Sequence, residues 1–324
     1  MIISVALCTF NGRRYIEEQL NSIINQTLKV NEIIICDDCS SDDTLTIVMK
    51  IAKKYPNIIK IYQNEVNLKS NKNFQKAVSL CTGDYVFFSD QDDIWKETKV
   101  EKIIAKFNKD HNLEVIFSNA ELINDCGEIF PETSLWDSVA FFNELITNKT
   151  NLNFLLVHKS NMVTGATMCI KKEIINKVLP IPVIENMYHD EWISMIAAAE
   201  NKLDFINEKL IYYRVHSNQQ TGKGIIFNRK KINKNLVLSK NVLGIIQPKT
   251  YTELKRLANN YHRNYERHKN ISSEAAITLP INFNTFAASN LELFLETEKK
   301  IKHSYPTLYF FRKRIDTIKG KRKT

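Results

Sequence analysis

The stretch that decides the fold is an acidic loop directly after an apolar strand. Residues 83–95 read GDYVFFSDQDDIW. The run Tyr85–Ser89 is apolar and aromatic, which predicts a buried strand, and residues 90–93 are mostly acidic. Crowded carboxylates repel one another unless a cation neutralises them, and Mg²⁺ or Mn²⁺ prefers such oxygen ligands. The stretch therefore predicts a metal site at the strand end; the alternative is an acidic loop that caps a helix beginning near Lys96.

Working outward from this stretch, short strands alternate with helices over residues 1–120. The predicted strands are residues 2–9, 32–36, 58–62, 85–89 and 114–118. Helical spacing of apolar residues occupies the segments between them, and Gly83 is expected at the C-terminal end of one helix. This alternation predicts a mostly parallel sheet, in which ligands bind beyond the carboxyl ends of the strands.

Residues 121–222 are less regular. We expect strands at 165–170 and 210–215 and a helix from Asp190 to Ala199. After Gly224 the sequence is helical in pattern and poor in glycine. The predicted architecture is an α/β domain with a helical appendage.

The charge is distributed unevenly, and this suggests a boundary near residue 223. Residues 223–324 hold 22 Lys or Arg against 7 Asp or Glu, whereas residues 1–222 hold 23 against 29. We therefore predict a catalytic domain over 1–222 and a basic helical region over 223–324. A basic region suits an anionic membrane face, a lipid-diphosphate acceptor or a nucleic acid, and a solvated helical face explains it equally well.

The remaining composition is that of a globular protein: 44% of residues are hydrophobic and 25% charged. No apolar run approaches the roughly 20 residues that a membrane span needs. The first ten residues lack the basic segment of a signal peptide and are expected to form a strand, so we expect a cytoplasmic protein.

The six cysteines are scattered along the sequence, and Cys36 and Cys39 have no second cysteine pair that would complete a zinc site.

Three further clusters contain residues that could act in binding or catalysis. Asp37 and Asp38 end a predicted strand, where a carboxylate can accept the ring N–H of uracil or thymine; helix capping is the alternative. Asp190 follows His189 and is a candidate general base or a helix N-cap. Arg214 could hold an anion, and His216 could bind a metal or a phosphate, although a lone histidine on a strand is more often structural.

These clusters, in this order, resemble the family 2 glycosyltransferases, which have the glycosyltransferase-A fold. The resemblance covers residues 3–222. It is carried by the opening VALCTFNG at residues 5–12, by Gln26 and Thr27, by the DDCSSDDT run at residues 37–44 and by residues 83–93. The DQDDIW run at residues 90–95 and the Lys-Asn-Phe triplet at residues 72–74 are similar to a rhamnosyltransferase-like branch.

The resemblance implies which residues bind the nucleotide. Thr9 and Asp38 would contact the nucleoside, Lys72 would lie near the nucleotide, and Asp90 would approach the ribose and the metal. The sequence differs from the family's usual pattern at two places in this nucleotide-binding region. The family's usual glycine after Asn67 is replaced by Leu68 and Lys69, and arginine is commoner than lysine at position 72.

The resemblance also implies the catalytic residues. Asp92 would ligate Mg²⁺ or Mn²⁺ directly, with Asp90 and His216 beside it, and Asp190 would be the general base. The bound metal would neutralise a nucleoside-diphosphate leaving group. We therefore expect an inverting transferase that moves a sugar from a UDP- or dTDP-sugar, dTDP-rhamnose among them, to the hydroxyl of a saccharide or lipid-linked saccharide.

The expected setting is bacterial surface polysaccharide or O-antigen biosynthesis, with peripheral contact at the inner membrane face. Two rivals stay open. A sugar nucleotidyltransferase would need a glycine-rich, basic N-terminal loop, of which residues 11–14 are a poor version. A nucleic-acid-binding protein would use the basic tail but leaves the acidic clusters unexplained, so we expect no nucleic-acid partner.

Overall fold

The computed structural model describes residues 1–217, 219, 228–274 and 280–318. The chain forms two compact units. The first comprises Met1–Asn153 with Asn161–Ile232, and the second comprises Phe154–Ser160 with Asn233–Thr324. The boundary predicted between residues 222 and 223 lies outside the described residues, so that division stays a prediction.

The first unit contains a mixed sheet. Among the described residues its strands are β1 (Ile3–Thr9), β2 (Glu32–Asp37), β3 (Ile59–Gln63), β4 (Tyr85–Ser89), β5 (Ile94–Trp95), β6 (Val115–Ile123), β7 (Ile129–Ser134), β8 (Met168–Lys171) and β9 (Leu203–Arg214). Their order across the sheet is β3-β2-β1-β4-β8-β6-β9-β5, and β7 pairs with β6.

Helices connect these strands and form most of the second unit. The α-helices that the structure describes are α1 (Ile16–Ile24), α2 (Thr44–Ala52), α3 (Lys69–Leu80), α4 (Lys99–Lys109), α5 (Leu135–Val139), α6 (Lys149–His158), α7 (Lys172–Val178), α8 (His189–Ala199), α9 (Arg229–Val242), α10 (Tyr251–Glu274), α11 (Phe283–Ser304) and α12 (Pro306–Ile318).

Strands β1 to β4 form a parallel part of the sheet, as the alternation of strands and helices in the sequence predicts. Strands β1 and β2 are buried along nearly their whole length, as strands covered by helices on both faces must be. β1 pairs in parallel with β2 and β4, and β2 pairs in parallel with β3. The carboxyl ends of β1, β2 and β4 consequently meet at one edge of the sheet.

The expected α/β fold with C-terminal helices is confirmed, and the sheet is mixed beyond β4. β8 runs antiparallel to both β4 and β6, while β9 runs parallel to β6 and antiparallel to β5. The strand predicted at residues 165–170 begins only at Met168, because Gly165–Thr167 forms a 3-10 turn. That turn lies beside the start of α8, because the backbone N–H of Gly165 donates to Asp190 Oδ2.

Gly83 is required for a reason other than the one expected. The C-terminal cap of α3 is Cys81, and Gly83 does not adopt the left-handed conformation that glycine favours there. A Cβ at residue 83 would instead lie 2.4 Å from Ser4 Oγ and 2.8 Å from the carbonyl oxygen of Ile2. Glycine therefore lets the start of β4 approach β1, and this brings the acidic loop to the end of β1.

The second unit is helical, as the sequence predicts. Helix α10 packs along α11, and α12 packs on α11. The core of the unit includes Leu254, Tyr261 and Phe294, all of which are buried. No helix in the described part of the chain combines the length and the apolar character that crossing a bilayer would need.

Candidate active site

The loop after β4 is fixed over the end of β1 by the amide of Gln91. The backbone N–H of Phe10 donates to Gln91 Oε1 at 2.8 Å, and Gln91 Nε2 donates to the carbonyl oxygen of Phe10 at 3.0 Å. Gly12 leaves room for this amide, because a Cβ there would lie 2.1 Å from Gln91 Oε1. The two bonds hold Asp90 and Asp92 near Thr9.

Arg214 fixes the same loop from the other side. Its backbone N–H donates to Asp93 Oδ1 at 3.0 Å, and its Nε donates to the carbonyl oxygen of Asp92 at 2.8 Å. Its Nη2 donates to Glu18 Oε2 at 2.6 Å, and the guanidinium lies over the ring of Tyr15. The Arg214 side chain is only 3% exposed. It is therefore a positioning residue, and the anion that it holds is the carboxylate of Glu18.

Asp92 and His216 come together as the sequence predicts. His216 Nε2 lies 2.8 Å from Asp92 Oδ2, and the two side chains are 9% and 13% exposed. His216 packs on Tyr15 with the ring centroids 5.1 Å apart. Gln219 orients it further, because the backbone N–H of His216 donates to Gln219 Oε1 at 3.2 Å. The carboxylate and the imidazole thus lie within hydrogen-bond distance of each other, and the carboxylate is the ligand type that Mn²⁺ or Mg²⁺ prefers.

Asp90 carries the strongest electrostatic strain of the predicted residues. Burial, then the neighbouring Asp92, then Asp190 raise the pKa of Asp90 to about 7. Burial is the largest cause of this shift, and the contributions of Asp92 and Asp190 place three carboxylates near one another where the loop meets α8. A cation would relieve this repulsion.

Asp190 lies in the first turn of α8, where the helix dipole favours a negative charge. The backbone N–H of Gly165 donates to Asp190 Oδ2 at 3.1 Å, and that of Glu191 donates to Asp190 Oδ1 at 2.7 Å. Asn161 Nδ2 lies 3.4 Å from Asp190 Oδ1. These donors orient the carboxylate. The alternative that Asp190 is the N-cap is wrong, because the N-cap of α8 is Tyr188; the catalytic role stays a prediction.

Two adjoining cavities, each of about 200 Å³, join these residues. Ser70, Asp90 and Tyr213 line both cavities. The first is also lined by Cys8, Thr9, Phe10, Asp38, Asn73, Phe74, Gln91, Asp92, His216 and Gln219. The second is also lined by Leu135, Ser138, Val139, Asn161, Val163, Thr164, Gly165, Tyr188, His189 and Asp190. The structure thus unites every predicted site residue except Lys72.

Asp38 is bound to the protein as well as facing the first cavity. Asn64 Nδ2 and the backbone N–H of Leu68 donate to Asp38 Oδ1 at 2.8 and 2.7 Å, and the N–H of Lys69 donates to Oδ2 at 2.9 Å. Lys69 has a φ of 66°, a left-handed conformation that glycine adopts more easily. The segment after Asn67 thus keeps its glycine-like turn without glycine, and Asp38 holds it.

Lys72 lies away from both cavities. Its Nζ lies 3.4 Å from the carbonyl oxygen of Ile181 and 3.4 Å from Gln75 Oε1. Ser70, Asn73 and Phe74 share a helix face by their spacing, and position 72 falls outside it. The geometry gives no support to the predicted nucleotide contact of Lys72.

A buried lysine, which the sequence analysis missed, supports the turn beside Asp190. Lys99 Nζ donates to the carbonyl oxygen of Ala166 at 2.8 Å and lies 3.6 Å from the centroid of the Trp95 ring. Burial lowers its pKa to about 7, and burial raises the pKa of nearby Asp93 well above its usual range. No local sequence pattern marks this lysine, because its hydrogen-bond partner, the carbonyl oxygen of Ala166, lies on a distant segment of the chain.

His189 is the second missed residue. It is 5% exposed, and its ring stacks on Phe88 and packs against Phe74 at centroid distances of 5.3 and 4.1 Å. Neither ring nitrogen has a hydrogen-bond partner, and burial lowers the pKa of His189 to about 3, so the imidazole is neutral. A Cβ at Gly165 would lie 2.5 Å from its Nε2. His189 therefore sets the distance between α8 and the turn that binds Asp190.

A metal ion would need ligands from outside the protein to complete its shell. Within the described residues, no group of three or more His, Cys, Asp or Glu side chains is arranged to hold an ion. Magnesium-type ions are commonly held by one or two carboxylates together with substrate phosphates. The Asp92–His216 pair beside Asp90 fits that mode of binding, in which metal and nucleotide bind together.

Comparisons with known proteins agree with this geometry. Residues 4–179 match the sequence profile described as glycosyl transferase family 2. The chain is 30% identical to the dTDP-rhamnosyl transferase RfbG of Shigella flexneri over 78% of this chain and 83% of that protein. It is 28% identical to an uncharacterized glycosyltransferase of Nostoc, alr2836, over 67% of this chain and 65% of that relative's length.

A solved structure with a similar fold is that of S. aureus TarS 1-349 in complex with UDP-GlcNAc. The TM-score is 0.53 with 20% sequence identity, and the alignment covers 92% of this chain and 82% of that one. At this identity the similarity concerns the fold alone.

We predict that Gly165→Ala destabilises the protein through His189. The added Cβ would lie 2.5 Å from Nε2 of an imidazole held by Phe74 and Phe88, so we expect a loss of roughly 1–3 kcal/mol in the free energy of unfolding. Urea denaturation measures this loss in the free energy of unfolding. In a His189→Ala background the collision partner is gone, so the same substitution should cost much less. Equal costs in the two backgrounds would contradict this account.

Proposed function

The chain belongs to glycosyl transferase family 2 and is a glycosyltransferase that uses nucleotide sugars; on that premise we propose that it transfers a sugar from a UDP- or dTDP-sugar to an acceptor hydroxyl with inversion. The observation that carries the proposal is the pair of adjoining cavities. They bring the acidic loop and the Asp92–His216 pair to the same place as Asp190. Family membership also removes the sugar nucleotidyltransferase alternative.

We propose that the nucleoside binds in the first cavity between Thr9 and Asp38. Asp38 already accepts three hydrogen bonds from the protein, and a carboxylate has about four acceptor sites. One site therefore remains for the ring N–H of uracil or thymine.

Asp92, with His216 and Asp90, would hold the divalent ion, Mg²⁺ or Mn²⁺. When bound, the ion supplies positive charge that stabilises the departing nucleoside diphosphate. The protein contributes rigid ligands, because Gln91 and Arg214 fix the loop on both sides. His216 is held by Tyr15 and Gln219, so its imidazole is oriented before any substrate arrives.

Asp190 is the proposed general base. An acceptor hydroxyl in the second cavity would lie beside its carboxylate, which Gly165 and Glu191 orient through their backbone N–H groups. An ionised Asp190 carboxylate would take the hydroxyl proton as the bond to the anomeric carbon forms. The hydroxyl then attacks opposite the leaving group, which inverts the anomeric centre.

The finer assignment is a deoxyhexose donor in surface polysaccharide or O-antigen biosynthesis. The similarity to the dTDP-rhamnosyl transferase RfbG supports dTDP-rhamnose as the first donor to test. The acceptor would be a saccharide or a lipid-linked saccharide. The 22 Lys or Arg in residues 223–324 support a cytoplasmic protein that touches the anionic inner face of a membrane, without a nucleic-acid partner.

The donor is tested by release of nucleoside diphosphate from a panel of UDP-, dTDP- and GDP-sugars. We expect turnover of a pyrimidine nucleotide-sugar that requires Mg²⁺ or Mn²⁺ and is abolished by chelator and by Asp92→Ala. Asp43→Ala, which removes an exposed carboxylate outside the cavities, is the control and should retain activity. Turnover that survives chelation, or a preference for GDP-sugars, would contradict the proposal.

Asp190→Asn tests the base separately. The amide cannot accept the hydroxyl proton, so we expect the transfer rate constant to fall about 10²- to 10⁴-fold while the dissociation constant of the donor stays nearly unchanged. Single-turnover transfer and calorimetric titration of donor measure the two quantities. Asp43→Asn is the matched control. A variant that transfers at the wild-type rate would exclude Asp190 as the base.

A further inference from the structure

Helix α12 exposes apolar side chains where a water-facing helix normally exposes polar ones. Leu308, Phe310, Phe311 and Ile315 are 45%, 59%, 57% and 50% exposed. Among the described residues, no other eight-residue stretch holds more than two exposed large hydrophobic side chains. Single exposed apolar residues are ordinary, but a contiguous group of this kind marks a contact surface.

Two charged residues of α12, Arg312 and Asp316, face inward instead. Arg312 is 6% exposed, and its Nη1 lies 2.9 Å from Glu298 Oε1 of α11. Arg312 Nε also lies 3.7 Å from Asp316 Oδ2. At about 100° per residue, Arg312 and Asp316 lie on one side of the helix and Phe310 and Arg314 lie on the opposite side. Leu308, Phe311 and Ile315 lie along the flank between these two sides. The ion pair therefore anchors α12 with its apolar side outward.

Exposed cations accompany these apolar side chains, both on α12 and on α11, the helix on which α12 packs. Arg314 is exposed and lies over the ring of Phe310 at 6.0 Å. Lys299, Lys300 and Lys302 are exposed in the last turns of α11. In sequence, residues 306–324 hold seven Lys or Arg against one Asp. An apolar face with flanking cations is the composition of helices that lie in the interface of anionic bilayers.

We infer that the outward face of α12, formed by Leu308, Phe310, Phe311, Arg314 and Ile315, docks on an anionic lipid bilayer. The apolar side chains enter the boundary between headgroups and acyl chains, and the cations bind lipid phosphates. A second copy of the chain is a poorer occupant, because it would bring two positively charged faces together. The inference rests on the proposed membrane location and identifies the element responsible for it.

Co-sedimentation with vesicles tests the inference on the full chain. The probes are vesicles of phosphatidylcholine alone and of phosphatidylcholine mixed with phosphatidylglycerol. We expect binding to the mixed vesicles only, reduced at least tenfold by combining Leu308→Ser, Phe311→Ser and Ile315→Ser. The matched control combines Ile245→Ser and Ile246→Ser, which remove exposed apolar side chains elsewhere in the second unit and should leave binding unchanged.

Three results would overturn the inference: no binding of the wild type to mixed vesicles, undiminished binding of the triple variant, or a wild-type dimer in solution that the triple variant dissociates. Donor turnover in solution, measured for the same variants, separates this inference from the transferase proposal. A triple variant that loses vesicle binding but keeps donor turnover supports the inference, whether or not the donor has been identified.

Discussion

The candidate site depends on one constraint: four consecutive residues after β4, three of them carboxylates, must be held in a half-buried loop. Arg214 supplies most of the restraint, because its backbone and guanidinium bind Asp93, the carbonyl of Asp92 and Glu18 together. These contacts tie the loop that carries Asp92, the proposed metal ligand, to the end of strand β9.

The site retains groups that a purely stable fold would not keep. His189 is buried with both ring nitrogens unpartnered, and Asp93 Oδ2 likewise lacks a partner. An unsatisfied buried polar group costs about 1–3 kcal/mol. These groups surround the turn at Gly165 and the loop at Asp92, where the proposed chemistry takes place. The ring of His189 is held between Phe74 and Phe88 at the start of α8, which carries Asp190. Arg214 holds the loop that carries Asp92. These packed surroundings keep both carboxylates in position while substrate enters.

Much of this arrangement could be predicted from local patterns. The apolar run before Asp90 and the spacing of the parallel strands place Thr9, Asp38 and Asp92 at one edge, and the register that pairs Thr9 with Asp37 confirms it. The restraining contacts could not be predicted in this way. Gln91 binds Phe10 from 81 positions away, and Arg214 binds Glu18 from 196 positions away. Period-2 and period-3.6 patterns carry no information on such distant partners. The nucleotide contact of Lys72 stays a prediction, because resemblance fixes a position along α3 but not the face of the helix on which that position lies.

The most direct test of the account is a crystal structure of the protein grown with UDP and Mn²⁺, with the ion located by its anomalous scattering. The account predicts one strong manganese peak at the Asp92 carboxylate beside His216, with the uracil ring between Thr9 and Asp38. Manganese bound away from Asp92, or a nucleotide bound outside the first cavity, which Thr9 and Asp38 line, would contradict the account.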